Sequence, residues 1–514
     1  MPDTIDWLVR TRAQQLNDKP MVIDTDSRIS YAELEGSTRA LAAAFIEAGV
    51  AKGTRVGLIM PNRVQWVQLA MALTRIGAVL VPLSTLLQPP ELIAQLRAAS
   101  VQALITVEEF RGHRYLDDLA DVVNTPELPA LRTVWMPEHV AGSHGGQMVD
   151  EMAAAVTPSD ALVIMFTSGS SGPPKGVIHS HGNALAAVRS GLAARCIDAD
   201  TRLYLPMPFF WVGGFGSGIL SALLAGATLV TEEIPRPETT LRLLERDRVT
   251  LFRGWPDQAE ALARQSASVG ADLSALRPGS LEALLPPEQR AEPGARAKLF
   301  GMTESFGPYC GYPADTDMPR TAWGSCGKPF DGMEVRIVDP DTGHPVPAGT
   351  IGMIQLRGPH TLRGICRRSR EDLFTADGYY PTGDLGHLDD DGFMFYHGRF
   401  DDMFKVSGAT VYPSEVEQAL RSIDGVENAF ITDVSGAVGA VVISGRTVDD
   451  LRAEARKRLS SFKVPAVWLT VKSDDDIPRG TTGKVDVRRL RALLRELGAL
   501  PSQAGGPPRV QGGT

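Results

Sequence analysis

The sequence predicts an α/β protein with a large N-terminal domain of mostly parallel sheets covered by helices, a β-rich subdomain, and a small α+β C-terminal domain. The chain has 514 residues, which is more than one hydrophobic core usually organises. In the first half, continuously apolar runs alternate with helical periodicity, a pattern typical of parallel strands that are buried on both faces. After about residue 323 the runs become short and are separated by Gly, Pro and Asp, which indicates the β-rich part.

Local signals place the elements in order. Ser30 and Glu33 have the spacing of a capping box, so a helix is predicted over residues 31–48. A second helix is predicted over residues 67–76. Strands are predicted where short runs are apolar, at residues 56–60, 78–82, 103–107, 161–166, 227–231, 249–252, 334–338 and 351–357. From residue 414 the pattern is helix, strand, strand, helix, strand, which is enough for a small separate domain.

Composition excludes several classes of protein. There are 52 Lys and Arg against 61 Asp and Glu, so the net charge of −9 argues against a dedicated nucleic-acid binder. The first ten residues lack the pattern of a secretory signal, and no stretch approaches the roughly 20 apolar residues that a membrane span needs. The four cysteines are too few and too scattered for a disulfide framework or a zinc site. A cytoplasmic multidomain enzyme is therefore expected, without integral membrane association.

The most informative segment is the run MFTSGSSGPPKG at residues 165–176, directly after an apolar strand. Glycines let backbone N–H groups converge, hydroxyls add donors and a lysine supplies positive charge, so the run suits phosphate oxygens. The residues in question are Thr167, Ser168, Gly169, Ser170, Ser171, Gly172 and Lys175. A flexible hairpin tip is the simpler alternative. A Walker-type loop is excluded, because Pro174 precedes the lysine and Gly176 follows it.

At this loop the sequence resembles the adenylate-forming (AMP-binding) superfamily, of the acyl-CoA synthetase or fatty-acid–CoA ligase type. Its phosphate loop is a Thr/Ser/Gly-rich run that ends in Pro-Lys-Gly. Further motifs of this chain resemble the family's in the same order: FGMTE at 300–304, YPTGD at 380–384, GRFDDMFKVSG at 398–408 and PRGTTGK at 478–484. The resemblance covers nearly the whole chain.

The resemblance implies an N-terminal AMP-binding domain over residues 1–398 and a mobile C-terminal lid domain over residues 399–497. Residues 498–514, rich in Gly and Pro, are predicted to be a disordered tail. The implied reaction converts a carboxylic acid and ATP to acyl-AMP and pyrophosphate, with Mg²⁺, and then transfers the acyl group to CoA, as in fatty acid metabolism. Three alternatives stay open: loading of a carrier-protein phosphopantetheine thiol, a luciferase-like oxygenase, and a nucleotide-binding module without catalysis.

The resemblance also implies roles for residues of the N-terminal part. The loop from Thr167 to Lys175 would hold the departing β- and γ-phosphates. Glu304 would be the Mg²⁺ ligand, and Thr303 beside it would donate to the α-phosphate. Phe300 stands where the family usually has Tyr, and its ring would pack against adenine. The family's Gly-Gly-Ala-like adenine run is replaced here by RPGSL at 277–281, so the contact that this run makes with adenine is not assigned to a residue.

A second group of implied roles falls in the C-terminal half. Asp384 would accept hydrogen bonds from both ribose hydroxyls, a task that suits a carboxylate with two oxygens. Arg399 would donate to the ribose or to a phosphate. Lys484 would bridge the attacking carboxylate and a ribose oxygen during adenylation. Asp401 occupies the hinge position about which the lid rotates, and Gly408 would then let the backbone approach the pantetheine arm of CoA.

The acyl pocket is the least specified part. The family's Pro-Leu-Phe-His run reads PFFW here, which ends at Trp211, either a gate of the acyl tunnel or a core residue. Trp255 would close the far end of the pocket. The glycines that follow Trp211 would open a helix that lines the pocket: Gly213, Gly214, Gly216 and Gly218. No Asp is positioned to hold an amino group, which favours a simple or bulky carboxylic acid over an amino acid.

Overall fold

The computed structural model describes residues 3–123, 125–167, 175–406, 409–479 and 485–498. The chain forms two compact units. The first comprises the described residues up to Thr350 together with Ile354–Thr382 and His387–Phe395. The second comprises Ile351–Met353, Gly383–Gly386 and the described residues from Tyr396 onward. The predicted boundary between residues 398 and 399 stays a prediction.

A seven-stranded sheet forms the centre of the first unit. From one edge to the other its strands are Gly364–Ile365, Lys175–Ser180, Ala161–Thr167, Val79–Pro82, Arg55–Ile59, Ala103–Thr106 and Thr133–Trp135. From Ala161–Thr167 onward the neighbours run parallel, whereas Lys175–Ser180 is antiparallel to both of its neighbours. The predicted mostly parallel sheet is confirmed, and the predicted strands differ from the observed ones by one or two residues at their ends.

A five-stranded sheet lies in the same unit. Its strands, in order, are Leu251–Phe252, Arg202–Tyr204, Thr228–Val230, Pro20–Ile23 and Arg28–Ser30. All neighbours except the last pair are parallel. A two-stranded hairpin, Glu109–Phe110 with His113–Arg114, stands apart from both sheets. The α-helices of the unit are Ile5–Leu16, Tyr31–Glu47, Val64–Arg75, Pro89–Ala98, Tyr115–Leu119, Gly146–Ala154, His181–Ser190, Ser221–Ala225, Pro237–Arg246 and Pro256–Val269.

The starts of two helices show what a local signal can and cannot predict. The capping box predicted at Ser30 is confirmed, because the Ser30 and Glu33 side chains each accept from the other residue's backbone N–H, at 3.2 and 2.8 Å. The helix predicted from residue 67 begins earlier, at Val64. Its first N–H donates to the carboxylate of Asp24 at 2.8 Å, so the cap comes from a residue 40 positions away.

The β-rich part is confirmed as short strands. Phe300–Met302, Gly307–Gly311 and Lys328–Pro329 form an antiparallel sheet of three strands. A four-stranded sheet follows, in the order Glu334–Val338, Gly352–Arg357, Tyr380–Leu388 and Met394–Arg399.

The second unit has the predicted order of helix, strand, strand, helix, strand. These elements are Pro413–Arg421, Val426–Val434, Ala437–Ser444, Val448–Arg458 and Val467–Val471. The structure adds a short hairpin, Phe404–Val406 with Ala409–Val411, and a helix, Val487–Gly498. The predicted tail overlaps this helix only at residue 498, and its remaining residues lie outside the described ranges. Among the helices described, none is both long and apolar enough to cross a bilayer.

One fully buried arginine of the first unit, Arg75, joins three helices. Arg75 is fully buried, and its guanidinium donates to Asp6 at 2.7 and 2.9 Å, to Thr38 at 2.9 Å and to Glu35 at 3.2 Å. These partners belong to the helices Ile5–Leu16 and Tyr31–Glu47. Because every arm of the guanidinium has a partner, the charge is tolerated in the core.

We expect Arg75→Met to lower the free energy of unfolding by about 3 kcal/mol, because it leaves the Asp6 and Glu35 carboxylates without their buried partner. Arg97→Met is the matched control. Arg97 and Glu127 form an exposed ion pair at 3.2 Å, and loss of such a pair costs about 1 kcal/mol or less. Equilibrium unfolding in urea compares the two variants. Equal losses would show that the buried network does not stabilise this unit.

Candidate active site

The ends of the predicted phosphate loop are held against each other by strand pairing. Thr167 ends the strand Ala161–Thr167, Lys175 begins the strand Lys175–Ser180, and the two residues are direct partners in the antiparallel ladder. The intervening predicted residues lie outside the described ranges: Ser168, Gly169, Ser170, Ser171 and Gly172. The pairing fixes Lys175 and Thr167 as neighbours at the mouth of the loop.

The Thr303–Glu304 motif forms a tight turn. It begins after the strand Phe300–Met302 as a 3₁₀ turn, Thr303–Ser305, and it ends at Phe306 with a φ of 52°. The Ser305 hydroxyl binds the backbone of the turn, at 3.2 Å to the Met302 N–H and at 2.7 Å to the Gly307 carbonyl. Glu304 is 7% exposed, and its Oε1 accepts from the Tyr380 hydroxyl at 3.4 Å. The turn thus presents a nearly buried carboxylate on a well-fixed backbone.

His179 connects the loop strand to this turn. Its ring is fully buried, with Nε2 2.8 Å from the Thr303 carbonyl and Nδ1 2.7 Å from the Asn183 amide nitrogen. A carbonyl only accepts, so Nε2 carries the proton and Nδ1 accepts from Asn183. Leu362 and Arg363 complete the connection, since their N–H groups donate to the carbonyls of Glu304 and Ile178 at 2.8 and 2.9 Å. The turn with Thr303 and Glu304 is therefore fixed relative to the strand of Lys175.

Asp384 and Arg399 meet in the second unit. Asp384 is 5% exposed, and its Oδ1 accepts from Arg399 Nη1 at 3.1 Å. Gly383 has a φ of 75°, and a Cβ at this position would lie 2.9 Å from Arg399 Nη2. Glycine is required here by the backbone conformation and by the close guanidinium. The structure thus pairs Asp384, predicted to bind the ribose, with Arg399, predicted to donate to the ribose or to a phosphate.

Three other predicted residues of the C-terminal half are not described in full. Lys484 and Gly408 lie outside the described residues. The backbone of Asp401 lies in the 3₁₀ turn Phe400–Asp402, and its side chain is outside the description. Their predicted roles stay predictions.

The predicted acyl-pocket residues share one region of the first unit. The rings of Trp211 and Trp255 meet edge to face, 6.1 Å between centroids, and Trp255 is 38% exposed. The helix predicted at the glycines is a π-helix, Gly213–Leu220. A Cβ on Gly214 would lie 2.1 Å from the Pro208 carbonyl oxygen, so only glycine fits there. Turns of π-helix occur frequently at functional sites.

Phe300 packs on its own sheet. Its ring meets that of Tyr309 edge to face, 5.7 Å between centroids, and the side chain is half-buried. The segment at residues 277–281 lies apart in the chain, and Arg277 there donates to the Cys196 carbonyl and the Thr201 hydroxyl at 2.8 and 2.6 Å. Arg277 therefore has a structural role in this segment.

The side chains of the site fit Mg²⁺ only if the ion arrives with a nucleotide. The described residues contain no group of three or more His, Cys, Asp or Glu that is placed to hold a metal ion. Glu304 is a single nearly buried carboxylate whose one described hydrogen bond is long. Mg²⁺ bound through phosphate oxygens and water needs only one or two protein carboxylates. The residues present fit such an ion.

Comparison with known proteins identifies the family. Residues 9–366 match the family described as AMP-binding enzyme. The chain belongs to the AMP-binding enzymes. A Mycobacterium tuberculosis protein named 3-[(3aS,4S,7aS)-7a-methyl-1,5-dioxo-octahydro-1H-inden-4-yl]propanoyl:CoA ligase is 33% identical, over 96% of this chain and 98% of its own length. Indoleacetate–CoA ligase of Aromatoleum aromaticum is 30% identical, over 90% of this chain and 93% of its own length.

A solved structure agrees with the fold of this AMP-binding enzyme. ATP-bound MatB from Rhodopseudomonas palustris matches it with a TM-score of 0.78 at 25% sequence identity. The match covers 96% of this chain and 99% of the MatB chain. The predicted family and fold class are confirmed.

Sequence reasoning missed several side chains that position the site of this AMP-binding enzyme. His179 follows the loop motif by only a few positions, but nothing in the sequence shows that its ring reaches Thr303. Tyr380 begins the YPTGD motif, and its hydroxyl contacts Glu304. Asn62 binds the backbone before Trp211, at 3.0 Å to the Met207 carbonyl and at 2.8 Å to the Phe209 N–H. For Asn62, the one signal in the sequence was a polar residue between two apolar runs.

Burial lowers the pKa of three histidines to about 4: His179, His181 and His360. In the unfolded chain the ordinary pKa is about 6.5, so the unfolded state binds more protons between these values. The free energy of unfolding should therefore fall as the pH falls from about 6.5 to about 4, by up to about 3 kcal/mol for each histidine. Above pH 6.5 the contribution is fully present.

Urea unfolding at several pH values measures the number of protons taken up on unfolding. We expect His181→Gln to reduce this uptake by about one proton. The exposed His139 is the control, and His139→Gln should leave the uptake unchanged. An unfolding free energy that is independent of pH between 4 and 6.5 would contradict the neutral buried imidazoles.

Proposed function

We propose that this AMP-binding enzyme is a carboxylic acid–CoA ligase that forms AMP and pyrophosphate. The observation that carries the proposal is similarity along the whole chain to a protein named a CoA ligase, 33% identical over 96% of this chain. Indoleacetate–CoA ligase and feruloyl-CoA synthase are similar over 90% and 94% of the chain. The similarity therefore includes the second unit as well as the first. ATP and CoA are the co-substrates, and transfer to a carrier protein is less supported.

The reaction has two steps. A carboxylate oxygen of the acid attacks the α-phosphorus of ATP, the bond from that phosphorus to the bridging oxygen breaks, and pyrophosphate leaves with acyl-AMP formed. The sulfur of CoA then attacks the acyl carbon, the acyl–phosphate oxygen bond breaks, and AMP leaves, while the thiol proton passes to solvent. The first step brings two anions together, so electrostatic stabilisation is its main requirement.

The phosphates are assigned to the loop between Thr167 and Lys175. Support comes from the antiparallel pairing that places these two residues opposite each other at the mouth of the loop. Lys175 offsets the negative charge that develops on the departing pyrophosphate. The half-buried Thr303 lies on the turn fixed by His179, and it donates to the α-phosphate.

Glu304 is proposed to hold Mg²⁺ together with the ATP phosphates. Mg²⁺ supplies charge neutralisation on the phosphate oxygens when it is bound. The Tyr380 hydroxyl orients the Glu304 carboxylate, and the low exposure of this side chain keeps water away from it. Phe300 is assigned to the adenine, on the strand that leads into the same turn.

The second unit is assigned to the ribose and to the change between the two steps. The ion pair of Asp384 and Arg399 supports joint recognition of the ribose, with Asp384 accepting from the hydroxyls. Lys484 is proposed to offset charge where the acid meets ATP. Asp401 is the proposed hinge, and Gly408 is the proposed close approach to the pantetheine arm.

The acid is assigned to the region of Trp211, Gly213, Gly214 and Trp255. Two aromatic rings in edge-to-face contact, one of them 38% exposed, offer apolar surface for a bulky acid. The names of several relatives refer to acids that carry rings: indoleacetate, ferulate and 3-hydroxybenzoate. A bulky, ring-bearing carboxylic acid is therefore the proposed substrate.

The deciding experiment measures pyrophosphate release and thioester formation across a panel of acids, with and without CoA. Thioester formed only with an acid, ATP and CoA together is the expected result. Acyl-AMP that accumulates and passes to a phosphopantetheine carrier protein but not to CoA would favour the carrier-loading alternative. ATP binding without release of pyrophosphate in the presence of any acid of the panel would contradict the proposal.

We expect Glu304→Gln to slow pyrophosphate release by roughly 100-fold or more, because it removes charge where the transition state is stabilised. The amide keeps the shape of the side chain and can still accept from Tyr380. Glu288→Gln, an exposed carboxylate on the same unit, is the control and should keep the original rate. Titration of Mg²⁺ in the assay gives a second readout. If the variant has the same rate and the same Mg²⁺ dependence as the parent enzyme, Glu304 is not a Mg²⁺ ligand.

The two half-reactions should separate by mutation. Lys484→Ala should abolish adenylation yet convert supplied acyl-AMP and CoA to thioester, because acyl-AMP already carries a good leaving group. Gly408→Leu should do the reverse, because its side chain blocks the pantetheine path. The exposed Lys472 supplies the control variant, Lys472→Ala, which should retain both steps. Equal loss of both steps in a folded Lys484→Ala protein would mean that one fixed arrangement serves both.

A further inference from the structure

Two arginines lie beside the proposed acyl pocket without a carboxylate partner. Arg195 is 4% exposed, and it donates to the Val188 carbonyl at 2.8 Å and to the Ser217 hydroxyl at 3.4 Å. Arg253 donates to the Gly279 carbonyl at 2.8 Å. Within the ranges that the structure describes, no carboxylate pairs with either guanidinium, and Arg195 Nε has no hydrogen-bond partner.

The two side chains belong to one cluster. Cys196, next to Arg195 in the chain, approaches Gly279, and its Sγ would lie 3.2 Å from a Cβ at that glycine. Gly279 is also the residue that accepts from Arg253. Burial and, to a smaller extent, the charge of Arg253 lower the pKa of Arg195 to about 10, so the two guanidinium groups lie close enough to interact. Arginine side chains stay protonated in proteins, so the two cations repel each other.

The cluster borders the proposed acyl pocket on two sides. Ser217, the partner of Arg195, lies in the π-helix Gly213–Leu220. Arg253 precedes Trp255 by two positions, directly after the strand Leu251–Phe252. Burial lowers the pKa of Arg253, although part of its side chain remains accessible. Arg253 is therefore partly enclosed by protein and still accessible to a ligand.

Structural roles account for only part of this arrangement. The contact of Arg195 with the Val188 carbonyl caps the end of the helix His181–Ser190. That contact uses one nitrogen of the guanidinium, and it does not explain a second buried cation nearby. Like charges placed together in low dielectric are unfavourable unless an anion joins them. Cys196 has a φ of 58°, a conformation that is uncommon for a residue with a side chain and often marks a functional site.

We propose that Arg195 and Arg253 bind a second carboxylate of the acid, so that this ligase activates a dicarboxylic acid at the end remote from the two arginines. The inference rests on the proposed ligase function. A planar guanidinium matches a carboxylate with two parallel hydrogen bonds, and two such groups can bind both of its oxygens. The aromatic surface of Trp211 and Trp255 then contacts the body of the acid.

The test uses pairs of acids that differ only by the second carboxylate, such as hexanoate with adipate and 3-phenylpropanoate with 3-(4-carboxyphenyl)propanoate. The parent enzyme should prefer the dicarboxylic member in kcat/KM. Arg253→Gln and Arg195→Gln should raise KM for the preferred diacid by about tenfold or more, and leave KM for its monoacid partner within about twofold. Arg253→Lys keeps the charge, so its KM for the diacid should lie between those of the parent enzyme and of Arg253→Gln. Arg236→Gln, an exposed arginine, is the control.

The outcomes separate this inference from the ligase function. Equal increases of KM for both members of a pair would overturn it, since the arginines would then serve the reacting carboxylate or the fold. Preference of the parent enzyme for monoacids would also overturn it. If no acid supports pyrophosphate release from ATP, the ligase proposal fails, and calorimetric measurement of diacid binding then tests the arginine site. Diacid binding that is lost in Arg253→Gln would support the site, and absence of diacid binding would overturn it.

Discussion

The antiparallel pairing of Ala161–Thr167 with Lys175–Ser180 is the interaction on which the candidate site depends. It interrupts a sheet that is otherwise parallel, and it makes Thr167 and Lys175 neighbours across the loop. The same strand carries His179, which holds the carbonyl of Thr303. One strand therefore fixes both the lysine proposed for the phosphates and the turn proposed for the metal. A shift of this pairing by one residue would turn Lys175 and His179 to the other face of the sheet.

Around the Thr303–Glu304 turn, buried polar groups are satisfied by neighbours in the chain and by His179, 124 positions from Thr303. Asn183, His179 and Ser305 each donate or accept within this network. An unpaired buried donor or acceptor costs about 1–3 kcal/mol, so the network allows one arrangement and disfavours others. Glu304 differs from these groups because it is buried with one long hydrogen bond. That difference is what suits it to a cation that arrives with the substrate.

In the proposed acyl region, by contrast, two buried cations have no carboxylate partner among the residues that the structure describes. Arg195 and Arg253 are held by carbonyls and a hydroxyl, which orient them but do not neutralise them. Arg75 shows how this protein treats a buried cation that has only a structural role, with carboxylates at 2.7 and 3.2 Å. The contrast between the two kinds of buried arginine lies within one unit of one protein. The two arginines that lack a carboxylate partner in the described part of the chain, Arg195 and Arg253, are the ones that lie next to the residues assigned to the acid.

The sequence by itself determined the fold class, the family and the order of the motifs. Parallel strands need long apolar runs, and a phosphate loop needs Gly, hydroxyl residues and Lys at close spacing, so both are readable from neighbouring residues. The sequence also predicted residues 31–48 as a helix, because its capping box is local. Only the tertiary structure decided the earlier start at Val64, whose cap is Asp24, the contact of His179 with Thr303, and the placing of Arg195 beside Ser217. Each of these contacts joins residues far apart in the chain, and no local pattern encodes which distant groups share a buried environment.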